Sequence, residues 1–282
     1  MTARYGVIGN PIAHSRSPLI HRAFAEQTSI DLAYTAILAA LDGFVATVEN
    51  FRSEGGLGLN VTVPFKSEAF ALCHTLSERA QRAGAVNTLI FPTDPSSSDI
   101  LGDNTDGVGL LRDLAFHQIP LKGKKILLLG TGGASRGVLA PLLAEIPARL
   151  LIANRRVATA EQLATDFQDV SGGHTQLGGC ALDALPAEPF DLIINATSAS
   201  LTGEQLALPD ALIGPNTTVY DMAYGREPTV FMQWGAALGA FALDGLGMLV
   251  EQAAESFYLW HGIRPQTNHV RDLLKASLDP AC

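Results

Sequence analysis

The chain predicts an α/β fold of two domains, an N-terminal α/β domain followed by a doubly wound domain on a parallel sheet. Three observations carry this reading. Strand-like and helix-like segments alternate from end to end, the order that places helices on both faces of a mostly parallel sheet. Ile126-Leu127-Leu128-Leu129 is a short, wholly apolar run of the kind buried on both faces of such a sheet. It restarts the alternation after the charged lead-in Lys122-Gly123-Lys124-Lys125. The length, 282 residues, exceeds what a single hydrophobic core ordinarily organises.

The elements follow in order. Residues 5–9 read as a strand, and Pro18 marks a helix starting near Ser17, since proline suits a first helical turn. Residues 32–38 form a second strand. Residues 41–52 have helical spacing, with Leu41, Phe44, Val45 and Val48 on one face. A third strand, 57–63, is rich in β-branched and apolar residues and stops at Pro64, which leaves Lys66 at the lip of the sheet. A fourth strand covers 85–91, and Pro95-Ser96-Ser97-Ser98 is a hairpin or loop tip. Helices are expected at 107–117 and 136–145, and strands at 150–153, 192–195 and 218–221. Gly172-Gly173 and Gly178-Gly179 bracket a loop region, and 248–260 is an amphipathic helix. Trp234, Phe257 and Trp260 read as core, and His14 and His261 as structural or loop histidines.

Composition excludes several functions. With 47% hydrophobic and 17% charged residues the chain packs and is not disordered. A formal net charge of −9 opposes nucleic acid, whose binding rests on cationic contacts, and anionic membrane surfaces as well. No apolar run approaches the roughly 18 residues that span a bilayer. The N-terminus enters a strand without a signal-peptide core, so a cytoplasmic location is expected. Cys73, Cys180 and Cys282 lack metal-type spacing and read as reduced thiols, and no metal site is expected.

Two clusters carry chemistry. Gly130-Thr131-Gly132-Gly133-Ala134-Ser135 lies between the apolar strand and the next helix, the context a dinucleotide fingerprint requires. Gly130 allows the tight turn, Gly132 lets backbone approach a pyrophosphate, and the helix N-terminus supplies amides. This is the Rossmann arrangement. The following strand ends at Asn154-Arg155-Arg156, where an NAD site usually has a carboxylate for the ribose 2′-hydroxyl. Guanidinium forks match a 2′-phosphate instead, so NADP(H) is the expected cofactor, against the alternative of a solvated basic turn. The other cluster pairs Lys66 with Asp103-Asn104-Thr105-Asp106-Gly107; a lysine and a carboxylate brought together at a cleft can move a proton during alcohol oxidation.

His14-Ser15-Arg16-Ser17-Pro18, Asn60-Val61-Thr62-Val63-Pro64-Phe65-Lys66, Gly84-Ala85-Val86-Asn87-Thr88 and Asp103-Asn104-Thr105-Asp106-Gly107 occur in this order. They are followed by the glycine loop, Asn195-Ala196-Thr197-Ser198, Asp221-Met222-Ala223-Tyr224 and a run beginning Asp244-Gly245-Leu246-Gly247. Over essentially the whole chain this set resembles the shikimate dehydrogenases. The resemblance implies reversible, NADPH-dependent reduction of 3-dehydroshikimate to shikimate, a step toward chorismate and the aromatic amino acids.

It further implies that Lys66 and Asp106 are the catalytic pair, and that Ser15 and Ser17 bind the substrate carboxylate. Thr62, Asn87 and Asp106 would hold ring hydroxyls, with Tyr224 and Gln252 as further substrate contacts. Gly130, Thr131, Gly132, Gly133, Ala134, Asn154, Arg155, Arg156, Met222 and Gly245 would bind the cofactor. Glu78 sits where some members place a cofactor-contacting acid, against the alternative of a solvated helix residue. Residues 1–105, completed by 246–282, would form the substrate domain and 106–245 the NADP domain, with the active site in the groove between them. The partner expected is the small-molecule substrate, with a homodimer left open. A carboxylate beside Lys66 favours the protonated amine, so oxidation of shikimate should quicken at alkaline pH.

The pattern has departures. Arg156 stands where relatives often have threonine, Thr159 where they have a basic residue, and Ala199-Ser200 where a glycine is common. Two alternatives stand beside the main reading: a quinate or dual quinate/shikimate dehydrogenase, and a dinucleotide-sensing regulator that has lost catalysis.

Overall fold

A computed structural model describes residues 2–94 and 97–278 and divides them into two compact units, 1–109 with 250–282, and 110–249. The first contains β1 (Ala3–Gly9), α1 (Ser17–Thr28), β2 (Leu32–Leu38), α2 (Phe44–Ser53), β3 (Gly56–Val61) and α3 (Lys66–Leu72). Next come β4 (Thr75–Leu76), α4 (Glu78–Ala83), β5 (Thr88–Ile90) and β6 (Leu101–Asp103). The chain enters the second unit within α5 (Asp106–Phe116). There it forms β7 (Lys125–Leu129), α6 (Gly133–Ala144), β8 (Arg149–Asn154), α7 (Val157–Asp166) and β9 (Gln176–Ala181). β10 (Phe190–Asn195), α8 (Ala199–Thr202), β11 (Ile213–Asp221), α9 (Val230–Ala237) and β12 (Phe241–Leu243) follow. The chain returns within α10 (Leu246–His261) and ends with α11 (Asn268–Leu278).

The sheet of the second unit has the order β12-β11-β10-β7-β8-β9 with every pair parallel. Three strands wind one way from β7 and three the other way from β10, the doubly wound order whose switch point receives dinucleotides. Side-chain alternation makes both faces apolar. Ile126 and Leu128 of β7 enter one core with Leu150, Ile152, Leu192 and Ile194, while Leu127 and Leu129 enter the opposite core with Leu151, Ala153 and Ile193. An uninterrupted apolar run is therefore what a central parallel strand needs.

The first sheet has the order β2-β1-β3-β5-β6-β4 and is mostly parallel, as expected, with one reversed strand. β5 runs antiparallel to both β3 and β6. The fourth strand is also shorter than 85–91, because Ala85, Val86 and Asn87 form the connection out of α4. The third strand stops at Val61, before the turn that contains Pro64, and Lys66 opens α3 directly after that turn. In α2 the buried residues are Phe44, Val48 and Phe51, spaced four and three apart. Leu41, which precedes the helix, and Val45, one residue round from Phe44, are 68% and 48% exposed.

Of the region bracketed by Gly172-Gly173 and Gly178-Gly179, the first part is the expected turn, with Gly172 and Gly173 at positive φ, and the rest, from Gln176, is an edge strand, β9. A Cβ on Gly179 would lie 2.4 Å from the Ala160 carbonyl carbon and the Glu161 nitrogen of α7. Close helix–strand approach, not turn formation, explains that glycine. Phe257 is fully buried, whereas Trp234 and Trp260 are half-buried at the core margins. His14 and Glu78 are exposed. In the expected loop tip, Ser97 donates its amide to the Asp94 carbonyl, while Pro95 and Ser96 lie outside the described residues. Among the described residues no helix is long and apolar enough to cross a membrane.

His21 of α1 is fully buried and stacks on Tyr34, with ring centroids 4.1 Å apart and planes 5° from parallel. Burial, reinforced by nearby His261 and partly opposed by Asn60, pushes its pKa from 6.5 down to about 3. The unfolded imidazole takes up a proton below 6.5 and the folded one does not until about 3. The stability contributed by neutral His21 is thus complete above 6.5 and is lost as pH falls through that window. Thermal midpoints measured from about pH 7.5 down to about pH 4 should fall, and His21→Phe should flatten part of the decline. An equally steep decline in the variant would assign the acid sensitivity to other groups.

Candidate active site

The register of the first sheet gathers the residues expected to meet substrate on one rim. β1, β3 and β6 end at Gly9, Val61 and Asp103, and antiparallel β5 begins at the same edge with Thr88, opposite both Asn60 and Asp103. The connections leaving this rim carry Ser15 and Ser17, Thr62 and Lys66, Asn87, and Asp106. Thr62 donates its amide to the Ile8 carbonyl and Asn10 donates to the Val63 carbonyl, both at 3.0 Å, so the loops after β1 and β3 lie side by side.

Lys66 Nζ donates to Asp106 Oδ2 at 2.5 Å, with side-chain exposures of 19% and 8%. The pair is mostly sheltered, the lysine side chain less so than the aspartate. The other Asp106 oxygen accepts from Asn87 Nδ2 at 2.8 Å. Asn87 is fixed in turn: its Oδ1 accepts the Thr105 amide at 2.9 Å, and its Nδ2 also faces Thr105 Oγ1 at 2.9 Å and Gln252 Oε1 at 3.4 Å. Asn104 Oδ1 accepts the Asp106 amide at 3.1 Å and holds the turn that leads into α5. Lys66, Asp106, Asn87 and Gln252 therefore form one continuous polar cluster.

Ser15 Oγ accepts the Ser17 amide at 3.3 Å, which orders the turn into α1. Ser17 is buried, Ser15 and Thr62 are half-buried, and among the described residues no hydrogen bond ties any of these three directly to Lys66 or Asp106. Sequence reasoning did not single out the buried hydrogen-bonded pair Asn60 and Tyr34. Tyr34 donates its hydroxyl to Asn60 Oδ1 at 2.7 Å, and Asn60 Nδ2 donates to Ser256 Oγ at 2.9 Å. Burial holds the Tyr34 phenol well above its usual pKa range, partly offset by a hydrogen bond with Ser17. Asn60 opens the motif that ends at Lys66, so its position was visible in the sequence. Nothing local marked Tyr34.

The second unit carries the glycine cradle. Gly130 has φ +103°, and its amide donates to the Ala153 carbonyl at 2.8 Å. Beta carbons placed on Gly132 or Gly133 would meet nothing within 4 Å, and α6 begins there without a side-chain cap. Its first amides thus border open space, as an anion site requires. Ser135 is fully buried, and its small side chain allows close packing of α6. These residues fit a pyrophosphate.

At the end of β8, Asn154 Nδ2 donates to Thr159 Oγ1 at 2.6 Å, and Thr159 Oγ1 donates to the Arg156 carbonyl at 2.8 Å. Thr131 Oγ1 lies 3.3 Å from the same hydroxyl. Thr159, a departure from the expected basic residue, is the hub of this loop. Arg155 and Arg156 are exposed, and Arg155 Nη1 lies 3.5 Å from Glu204 Oε1.

Met222, Tyr224 and Gly245 also belong to this unit. Asp221, fully buried, accepts Ser200 Oγ at 2.5 Å, Thr229 Oγ1 at 2.6 Å and the Ala223 amide at 3.0 Å, which fixes the loop that follows β11. Ser200 occupies a position where glycine was expected, and its hydroxyl gives it a structural role there.

Three family descriptions match the chain in order: "Shikimate dehydrogenase substrate binding domain" over residues 7–89, "Shikimate / quinate 5-dehydrogenase" over 113–203 and "Shikimate 5'-dehydrogenase C-terminal domain" over 245–275. Shikimate dehydrogenase (NADP(+)) of Cellvibrio japonicus is 53% identical over 279 residues, covering 99% of both chains. The crystal structure of an Ael1 enzyme from Pseudomonas putida aligns with TM-score 0.89 and 43% identity over 99% of this chain and 100% of that one. Shikimate 5-dehydrogenase of Thermus thermophilus, in complex with NADP(H) and shikimate, aligns with TM-score 0.86 and 31% identity, covering 98% of this chain and 100% of that one.

A Cβ on Gly245 would lie 2.2 Å from the Met222 carbonyl oxygen, and the Gly245 amide donates to the Ala223 carbonyl at 3.0 Å. Gly245→Ala should therefore destabilise the protein by on the order of 1–3 kcal/mol through overpacking. Urea denaturation would check this, and an unchanged midpoint would show that the Met222 loop yields freely.

Proposed function

The chain belongs to the shikimate dehydrogenase family, and on that premise we propose which of its residues carry the reaction. The enzyme reversibly reduces 3-dehydroshikimate to shikimate with NADPH. The observation that carries the residue assignment is the 2.5 Å contact between Lys66 and Asp106. Bound NADPH supplies the hydride. Lys66 donates a proton to the substrate carbonyl oxygen in reduction and removes it from the alcohol in oxidation. Asp106, anchored by Asn87, orients Nζ and accepts a hydrogen bond from a neighbouring substrate hydroxyl.

In this reading Ser15 and Ser17 bind the carboxylate, Thr62 and Asn87 the ring hydroxyls, and Gln252 and Tyr224 complete recognition. The backbone of Gly130, Thr131, Gly132, Gly133 and Ala134 would hold the pyrophosphate. Asn154, Arg155 and Arg156 would hold the 2′-phosphate side, and Met222 and Gly245 would adjoin the nicotinamide. The functional halves are then 1–105 with 246–282 for substrate and 106–245 for NADP.

The quinate reading gives way, since full-length relatives such as the Cellvibrio protein carry the shikimate name. The inactive-regulator reading gives way too, because the Lys66–Asp106 pair is intact. Free thiols at Cys73 and Cys180 support a cytoplasmic location, and a net charge of −9 supports small-molecule over nucleic-acid partners. A homodimer belongs to the proposal by resemblance alone.

Lys66→Ala should lower kcat by on the order of 10²–10⁴-fold and leave shikimate affinity nearly intact. Steady-state kinetics with a direct binding measurement would test this, and loss of affinity as large as the loss of turnover would contradict the assigned role. Replacing Arg155 and Arg156 together by alanine should raise KM for NADPH far more than for NADH. Equal effects on the two cofactors would remove these arginines from phosphate recognition.

A further inference from the structure

We propose that Arg79 is a positioning residue for the reaction: its guanidinium locks the turn carrying Asp106 to the helix carrying Gln252. The inference rests on the assignment of Lys66 and Asp106 as the proton-transfer pair. Arg79 lies on α4 and touches neither residue in any described hydrogen bond or ion pair; it acts through Asp103 and Glu255. Arg79 Nε donates to Asp103 Oδ1 at 2.6 Å and Nη2 to Oδ2 at 2.8 Å, a two-pronged contact with a carboxylate only 5% exposed. Asp103 Oδ1 also accepts Ser77 Oγ at 2.5 Å and the Asn104 amide at 2.6 Å.

From Asp103 the constraint passes into the site along two backbone routes. Its carbonyl accepts the Asn87 amide at 3.0 Å, and Asn87 holds Asp106 Oδ1. Its side chain caps the Asn104 amide, and Asn104 receives the Asp106 amide. The third prong of Arg79, Nη1, donates to Glu255 Oε1 at 3.1 Å. Glu255 lies three residues beyond Gln252 on α10, and its other oxygen accepts Arg264 Nη2 at 2.5 Å. One planar cation thus sets the relative placement of two elements that both reach Asn87. A lysine there would keep the charge and lose the fork.

The test is a double-mutant cycle in the full-length enzyme, with turnover normalised to the folded fraction from near-ultraviolet circular dichroism. Arg79→Lys should slow kcat by on the order of 10²-fold through misplacement of Asp106. KM for shikimate should rise by a smaller factor than kcat falls, since Asp106 and Gln252 also hold substrate in the proposed reading. Arg79→Lys combined with Asp106→Asn should be no slower than Asp106→Asn alone, because both changes act through one group. Turnover of folded Arg79→Lys within about threefold of the parent, or losses that multiply in the double variant, would overturn the proposal. Asp103→Asn is the second variant, read by the same criteria if Arg79→Lys folds poorly. If Asp106→Asn alone leaves turnover unchanged, the pair assignment fails first, and the route through which Arg79 acts fails with it.

Discussion

An ammonium and a carboxylate 2.5 Å apart attract strongly only where water is scarce, yet the ammonium must remain reachable by substrate. The first unit meets both demands by placing Lys66 and Asp106 on a sheet rim and backing them with amides and hydroxyls. Each Asp106 oxygen has a donor, Asn87 is held in turn by Thr105 and Gln252, and Asn104 accepts the Asp106 amide. The electrostatics of the site depends on that saturation, because an unpaired buried charge would shed its charge or distort the turn. The mixed sheet follows from the same demand. β5 must run antiparallel for Asn87, which precedes it, to emerge at the rim where β3 and β6 end.

The second unit solves a different problem with similar means. Its central strands β7 and β10 send apolar side chains to both faces, and polar residues gather at the strand ends where the loops begin. There Asp221, buried and accepting from Ser200, Thr229 and the Ala223 amide, fixes the loop after β11, while Thr159 fixes the loop after β8. Neither group needs to touch a ligand to matter. In the proposed reading, each reduces the conformations that its loop gives up when cofactor binds.

Much of this was legible in the residues. The strand at 32–38 appears with the expected bounds, and the apolar run at 126–129 and the glycine loop behave as their chemistry requires. The family resemblance paired Lys66 with Asp106, and the structure has them in contact across 40 positions. What escaped the sequence depends on partners distant along the chain. Gly179 looks like a loop residue until α7 is placed 2.4 Å from where its Cβ would be. Leu41 and Val45 look like one face of a helix until the turn before Phe44 sets a later start. Tyr34 and Arg79 have no local signature, because their partners Asn60, Asp103 and Glu255 meet them only when β2, α4 and α10 have assembled.

The discontinuity of the first unit has a consequence for synthesis. Gln252, Ser256 and Trp260 reach back to Asn87, Asn60 and Leu89, so that unit stays incomplete until α10 emerges from the ribosome. The continuous segment 110–249 contains all six strands of its own sheet and needs no such wait. All six strands of the first sheet precede residue 104, so what that unit lacks until late in synthesis is its covering helix α10 and not its sheet.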